Sequence, residues 1–322
     1  MSLAEIYREL KSDLQIIEKQ LEDVLSSDQA ILRQAAYQLL KAGGKRLRPL
    51  FVLLSARFGK REHPDINRVA VTLELIHMAS LIHDDVIDDA ELRRGKQTVK
   101  ARWDNRIAMY TGDFIFAKAL NVIGEVESAE VHRILSQAFR EMCLGEIVQI
   151  QDQYNWNQNL RQYLLRIKRK TALLMAISCR LGAVAAGADE AIALNLYRFG
   201  YYIGMSYQIV DDILDFTGTE KQLGKPAASD IKQGNVTLPA LYALQDVKIR
   251  DELLNRLKTA QATGEGWNAA IRLINESGAI ERSRKLSDRY LQKAYAALDG
   301  LPDQALVDSF RTIADNIGRR RY

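Results

Sequence analysis

The stretch Leu81-Ile82-His83-Asp84-Asp85-Val86-Ile87-Asp88-Asp89 and its second copy, Ile209-Val210-Asp211-Asp212-Ile213-Leu214-Asp215, decide how this chain is read. Each acidic run is embedded in apolar residues of helical period. In a helix, residues i and i+4 share one face about 6 Å apart along the axis. Asp84 with Asp88, and Asp211 with Asp215, therefore each form a two-pronged carboxylate face, flanked by Asp85 or Asp212. Like charges at this spacing destabilise an isolated helix, and burying them without a cation costs far more. The pattern asks for a cation. All-oxygen ligation selects Mg²⁺, Mn²⁺ or Ca²⁺ over zinc. Mg²⁺ takes one or two carboxylates, keeps waters and leans on substrate phosphates, so two such prongs point to a Mg²⁺–diphosphate site. A solvated acidic face accounts for one such run, but not readily for two with identical spacing and apolar borders.

Outward from these runs the helical period persists. Leu3, Ile6, Leu10, Leu14, Ile17, Leu21 and Val24 recur at spacings of three and four, an apolar stripe on a charged helix. Helices are predicted over 65–90, 160–187 and 191–216, and amphipathic helices continue after Pro239 to Gly318. No proline lies between Pro64 and Pro226, which permits long helices, since an interior proline costs about 3 kcal/mol. No period-2 strand bounded by turn dipeptides stands out. The expected fold is all-α: one large helical bundle, a single domain over 1–322. The one long break, 217–238, is rich in Gly, Lys and Pro; a loop of that length inside a domain is usually functional.

Composition narrows the function classes. The chain is 47% hydrophobic and 27% charged, which excludes a disordered or collagen-like chain. Its net charge of +4 is too small to argue for nucleic acid. Cys143 and Cys179 stand far apart and read as reduced core thiols. The first ten residues carry charges and no apolar signal region, and no apolar run is long enough for a transmembrane helix. The expected localisation is cytoplasmic.

Basic residues point to the same ligand as the aspartates. Gly43-Gly44-Lys45-Arg46-Leu47-Arg48-Pro49 joins flexible backbone to three cations, Arg93-Arg94-Gly95 follows the first acidic run, and Lys168-Arg169-Lys170-Thr171 precedes the second. Arginine binds phosphate oxygens bidentately and lysine acts as a point charge. Clusters of both beside paired aspartates imply more than one diphosphate. His77 lies two turns before Asp84 on nearly the same face.

On these residues, and on Gly234-Asn235-Val236-Thr237-Leu238-Pro239, the chain resembles the trans-prenyl diphosphate synthases over nearly its whole length. Asp84 to Gly95, Asn105 to Gly112 and Gly200 to Phe216 are similar in particular to the catalytic-component branch, whose members work in two-component heptaprenyl diphosphate synthases of Gram-positive bacteria. The resemblance implies an isoprenoid-synthase bundle around a deep cavity. In it, Asp84, Asp85, Asp88, Asp211, Asp212 and Asp215 would hold Mg²⁺ on an allylic diphosphate such as farnesyl diphosphate, which Arg93, Lys170 and Lys225 would also contact. Gly44, Lys45, Arg48, His77 and Arg94 would hold isopentenyl diphosphate, and Thr171 and Gln208 would lie near the reacting carbons. A small component I subunit is the implied partner, with a homodimer as the alternative, and a heptaprenyl chain for menaquinone the implied product. The chain departs from many relatives at Asn235, where they carry lysine.

The implied chemistry follows from charge. The allylic C–O bond ionises, cations stabilise the leaving diphosphate, and the isopentenyl double bond attacks the allylic carbon before a proton is lost. Water must be kept out, and the 217–238 segment with Lys225 is the candidate lid. A class I terpene cyclase shares the ionisation step but carries a mixed Asn/Ser/Glu second motif, whereas both motifs here are all-aspartate. A non-catalytic synthase subunit would be expected to lose these Asp or Arg residues. Ala79 and Ser80, one turn before the first motif, are small, which implies an open tunnel and a long product.

Overall fold

The structure, a computed structural model, describes residues 2–60, 62–219 and 227–318. The protein is 77% helical, and the all-α expectation holds. The first eleven helices are α1 (Leu3–Glu9), α2 (Lys11–Val24), α3 (Ala30–Lys41), α4 (Leu47–Ala56), α5 (Pro64–Ile87), α6 (Val99–Arg102), α7 (Asn105–Gly124), α8 (Ala129–Gln151), α9 (Leu160–Ile167), α10 (Leu173–Ala185) and α11 (Glu190–Thr217). Further helices run over Ser229–Lys232, Leu238–Leu244, Arg250–Thr263, Trp267–Glu276, Ala279–Ala297 and Gln304–Gly318. Among the described residues no helix is long and apolar enough to cross a membrane.

The chain divides into two compact units that draw on interleaved segments. The first comprises Met1–Ala138, Leu174–Gly200 and Ala297–Ile313. Its core includes an aromatic cluster from distant parts of the chain. Phe51 stacks on Phe310 at 6.4 Å, and Phe199 meets both rings edge-on at 6.0 and 5.1 Å. Helix α5 is its longest complete element. Proline opens it, where a missing N–H is harmless, and thirteen of its residues are buried. The second unit comprises Phe139–Leu173, Tyr201–Ala296 and Ala314–Tyr322. Its core gathers Tyr163, Met205, Ile209, Ile213, Ile231, Leu241 and Ile274, among others.

Several local features differ from the sequence expectation. The N-terminal stripe is two helices, separated at Leu10, with a Ser2–Glu5 capping box at its start. The segment after α5 folds into a two-residue antiparallel hairpin, Leu92–Arg93 against Lys96–Gln97. Its turn residues, Arg94 and Gly95, both have positive φ (54° and 73°), as a two-residue turn matching strand twist requires. The predicted 160–187 helix is interrupted by a π-helical turn at Lys168–Ala172. The 217–238 break is not wholly loop: Ser229–Lys232 is helical, and Lys225 lies outside the described residues.

Candidate active site

In the first unit the acidic run sits at the C-terminal end of α5. Asp88 is the C-cap, its N–H donating to the Asp84 carbonyl at 2.8 Å. That end of a helix carries partial negative charge, so three carboxylates there sharpen the demand for cations. One is supplied from within. Arg93, on the hairpin, grips Asp85 Oδ1 through Nε at 2.8 Å and Nη2 at 2.7 Å. Burial pushes the buried Asp85 carboxyl up, and Arg93 opposes that shift. Lys100 pairs with Asp89 and, at 3.2 Å, with Glu91. Asp84 and Asp88 remain partly exposed.

The basic loop between α3 and α4 contributes the other part of this half-site. Arg48 is buried in the first turn of α4. Burial, and then the positive charges of Arg48, Arg94, Arg93 and Arg46, hold the His77 imidazole well below its ordinary pKa. A neutral imidazole among guanidiniums is what a strongly positive pocket produces, and such a pocket suits an anion. Gly44 lies close to the Arg94 guanidinium: a Cβ there would stand 2.8 Å from Arg94 Nη1, which would have to shift. The structure thus gathers Gly44, Arg48, His77, Arg93 and Arg94, and places Lys45 exposed on the loop.

Arg46 has a different place. It adopts φ 46° as the N-cap of α4 and points into protein. Its Nε and Nη2 meet Glu18 at 2.9 Å, Nη1 meets Glu74 at 3.0 Å, and Nη2 also donates to the Leu40 carbonyl. Tyr7 donates its hydroxyl to the Lys45 carbonyl. The N-terminal helices, to which sequence reasoning gave no role in the site, hold this loop from behind.

In the second unit a line of hydrogen bonds joins three of the predicted residues. Thr171 donates to Gln208 Oε1 at 2.6 Å, and Gln208 Nε2 donates to Asp212 Oδ1 at 2.9 Å. The other Asp212 oxygen accepts from the buried Tyr163 hydroxyl at 2.6 Å. Burial and the nearby Asp230 charge push Asp212 up to about 7, against those two hydrogen bonds. Tyr163 was missed from sequence because a tyrosine on an amphipathic helix reads as core. Arg166, buried one turn on, donates to Gln158 Oε1 at 2.7 Å and to the Val236 carbonyl. Thr171 and Lys170 lie on the π turn, a feature frequent at functional sites. Lys170 Nζ stands 3.6 Å from Glu146, while Arg169 is committed to Glu141 at 3.0 Å.

Asp215 is buried and tied to the 227–230 segment. Oδ1 accepts from Ser229 Oγ at 3.1 Å, Oδ2 from the Asp230 N–H at 3.3 Å, and the Asp215 carbonyl from Ala228 N at 2.7 Å. Asn235, the departure from relatives, donates its N–H to the Asp230 carbonyl. The described part of the candidate lid is therefore anchored at the second acidic run.

The six aspartates fall into two sets. Asp85, Asp212 and Asp215 are buried and engaged by protein groups, whereas Asp84, Asp88 and Asp211 are partly exposed. Among the described residues no group of three or more potential ligands is gathered to enclose a metal. Partly exposed carboxylates in ones and twos fit Mg²⁺, which completes its shell with water and phosphate oxygens.

The chain is similar to known proteins over nearly its whole length. The polyprenyl synthetase family pattern matches residues 29–274. Heptaprenyl diphosphate synthase component 2 of Bacillus subtilis (strain 168) is 56% identical over 316 residues, covering 98% of this chain and 90% of the relative. The crystal structure of heptaprenyl diphosphate synthase from Staphylococcus aureus superposes with a TM-score of 0.92 at 39% identity, over 97% of this chain and 99% of that one. Polyprenyl synthase from Caulobacter crescentus CB15, complexed with calcium and isoprenyl diphosphate, gives 0.94 at 34% identity, over 100% and 98%.

Proposed function

The chain belongs to the polyprenyl synthetase family, and from that premise we propose a specific reaction: Mg²⁺-dependent head-to-tail condensation of isopentenyl diphosphate with an allylic diphosphate, farnesyl diphosphate in the first instance. The product is heptaprenyl diphosphate, destined for the menaquinone side chain. The chain acts as one synthase domain over 1–322 in the cytoplasm, with a small component I subunit as partner. The name of the Bacillus subtilis relative, a component 2, supports the partner; a homodimer is the alternative. Interleaving of chain segments between the compact units supports the single domain.

The observation that carries this reading is the division of the aspartates. All six aspartates we assign to Mg²⁺, with Asp84, Asp88 and Asp211, the partly exposed set, reaching it most openly. Bound there, the metal supplies positive charge to the departing diphosphate. Asp85, Asp212 and Asp215 hold their neighbours in place: Arg93 is aimed by Asp85, Gln208 by Asp212, and the Ser229–Lys232 turn by Asp215. Arg93 and Lys170, with Lys225, bind the allylic diphosphate. Arg48, Arg94, Lys45 and the neutral His77, with Gly44 leaving room for Arg94, bind isopentenyl diphosphate. Thr171 and Gln208 line the reacting carbons. Fixed donors and charges lower the barrier because they need no reorganisation as the leaving group gains charge. Among these groups no Ser/His/Asp or Cys/His nucleophile is called on.

The test is product analysis. The purified chain, with Mg²⁺ and both diphosphates, should give a ladder of linear prenyl diphosphates ending at the heptaprenyl length when the small component is added. Consumption of the allylic diphosphate alone, giving cyclic hydrocarbon, would establish a cyclase instead.

A further inference from the structure

The helix Ala279–Ala297 carries cations at 282, 285, 289 and 293, spaced so that all four share one face. Their Cα atoms span about 16 Å along the axis. Arg282, Lys285 and Arg289 line a recess of about 530 Å³ together with Tyr242 and a single acid, Asp288. All four cationic residues are exposed, and among the described residues none has a carboxylate within 4 Å. What sets this face apart is the alignment of four such cations in one row beside aromatic rings.

Aromatic rings take the place of acids here. The Arg282 guanidinium lies over the Tyr242 ring at 4.3 Å, and the Lys293 ammonium lies 5.8 and 5.7 Å from the Tyr202 and Tyr290 ring centres. Tyr201 packs edge-on against Tyr202 at 5.3 Å. A ring face fixes a cation's position without neutralising it, and the Arg282 guanidinium, whose Nη1 donates to the Tyr242 carbonyl at 3.3 Å, keeps its other N–H groups for an outside acceptor. The face is thus an extended row of unneutralised cations, two of them held on ring faces, beside buried Tyr242 and half-buried Tyr202 and Tyr290.

We propose that this face docks the enzyme on an anionic lipid bilayer through phosphate headgroups. A row about 16 Å long suits a surface of many phosphates better than one small anion. Clustered Lys and Arg attract anionic leaflets, and tyrosine is favoured at headgroup depth. Docking has a use under the reaction proposed above, since its product joins a diphosphate to a long apolar chain. The proposal rests on that reading for its purpose but not for its test.

The experiment is co-sedimentation of the full chain with vesicles of phosphatidylcholine alone and with vesicles made half of phosphatidylglycerol. The chain should bind only the second kind and be released by salt. Each of Lys285→Gln and Lys293→Gln should weaken partition about fivefold, and adding Arg282→Gln and Arg289→Gln should take the loss beyond about a hundredfold. Neither lysine makes a hydrogen bond among the described residues, so the double lysine variant keeps the test meaningful if the quadruple variant misfolds. Condensation of short soluble substrates should be unchanged in the lysine variants, which separates this proposal from the assignment of the reaction. Equal binding to neutral vesicles, or undiminished binding by the double variant, overturns it. So does release by inorganic phosphate at matched ionic strength, which would show a small-anion site. Loss of association with the small component, with vesicle binding intact, would assign the face to a protein partner and equally overturn it.

Discussion

Replacing Arg46 with alanine should unfold the protein more readily while sparing substrate recognition. Arg46 is mostly buried, and all three guanidinium nitrogens are committed to protein oxygens. Glu74 is buried, only Oε1 meets Arg46, and its Oε2 has no hydrogen-bond partner among the described residues. Removing the cation strands that carboxylate, at a cost of about 3–5 kcal/mol. The more exposed Glu18 pairing adds no more than about 1 kcal/mol. At roughly 2.1 cal/mol/K of unfolding entropy per residue, a chain of this length loses about 1.5 °C per kcal/mol. The melting temperature should therefore fall by about 4–9 °C. Arg46→Met combined with Glu74→Leu should recover most of the loss, because the pair leaves together. Thermal melts by circular dichroism read both effects. Below the melt, Arg46→Ala should raise the Michaelis constant for isopentenyl diphosphate far less than Arg48→Ala does. A melt within a degree of the parent refutes the reasoning, and so does a double variant no better than the single one. A Michaelis constant raised as much as in Arg48→Ala would place Arg46 on substrate.

Four further outcomes follow from the proposed site. Asp84→Ala and Asp211→Ala should lower turnover by orders of magnitude and raise the Mg²⁺ concentration needed for half-activity. Asp215→Ala should lower turnover with a smaller change in Mg²⁺ demand, because its oxygens hold Ser229 and Asp230; Mg²⁺ titrations of the three variants compare them. Arg48→Ala should raise the Michaelis constant for isopentenyl diphosphate well above any change for the allylic substrate, and equal changes in steady-state kinetics would show a general role for the loop. Ala79 is fully buried, so Ala79→Tyr should shorten the product at a packing cost of about 1–3 kcal/mol, as thin-layer or mass analysis of products would show.

Much of this was legible in the sequence, for identifiable reasons. Helix α5 was readable within three residues at either end because Pro64 marks its start and apolar residues recur through it. The break at Leu10 was not, since the apolar stripe runs through it unchanged. The 92–97 hairpin escaped notice because two-residue strands have no period to detect, and Arg-Gly is a weaker turn signal than Asn-Gly. The acidic runs and basic clusters were found by residue type and spacing. Spacing could not show which carboxylates the protein itself engages, because the partners Tyr163, Ser229 and Arg93 come from other elements. Arg46 and Arg48 are chemically alike and two residues apart. Only the folded loop sends one into a carboxylate pair and the other toward His77.

The aromatic cluster of Phe51, Phe199 and Phe310 bears on how the chain is made. Synthesis runs from the N-terminus, yet the first unit is completed by residues 297–313, which are made only after most of the second unit. Until then Phe51 and Phe199 lack a ring they pack against, and the nascent unit exposes apolar surface that invites aggregation. Contacts between such distant positions also raise the contact order, which slows folding. A chain cut shortly before Ala297 should therefore lose solubility in its N-terminal half, far from the cut.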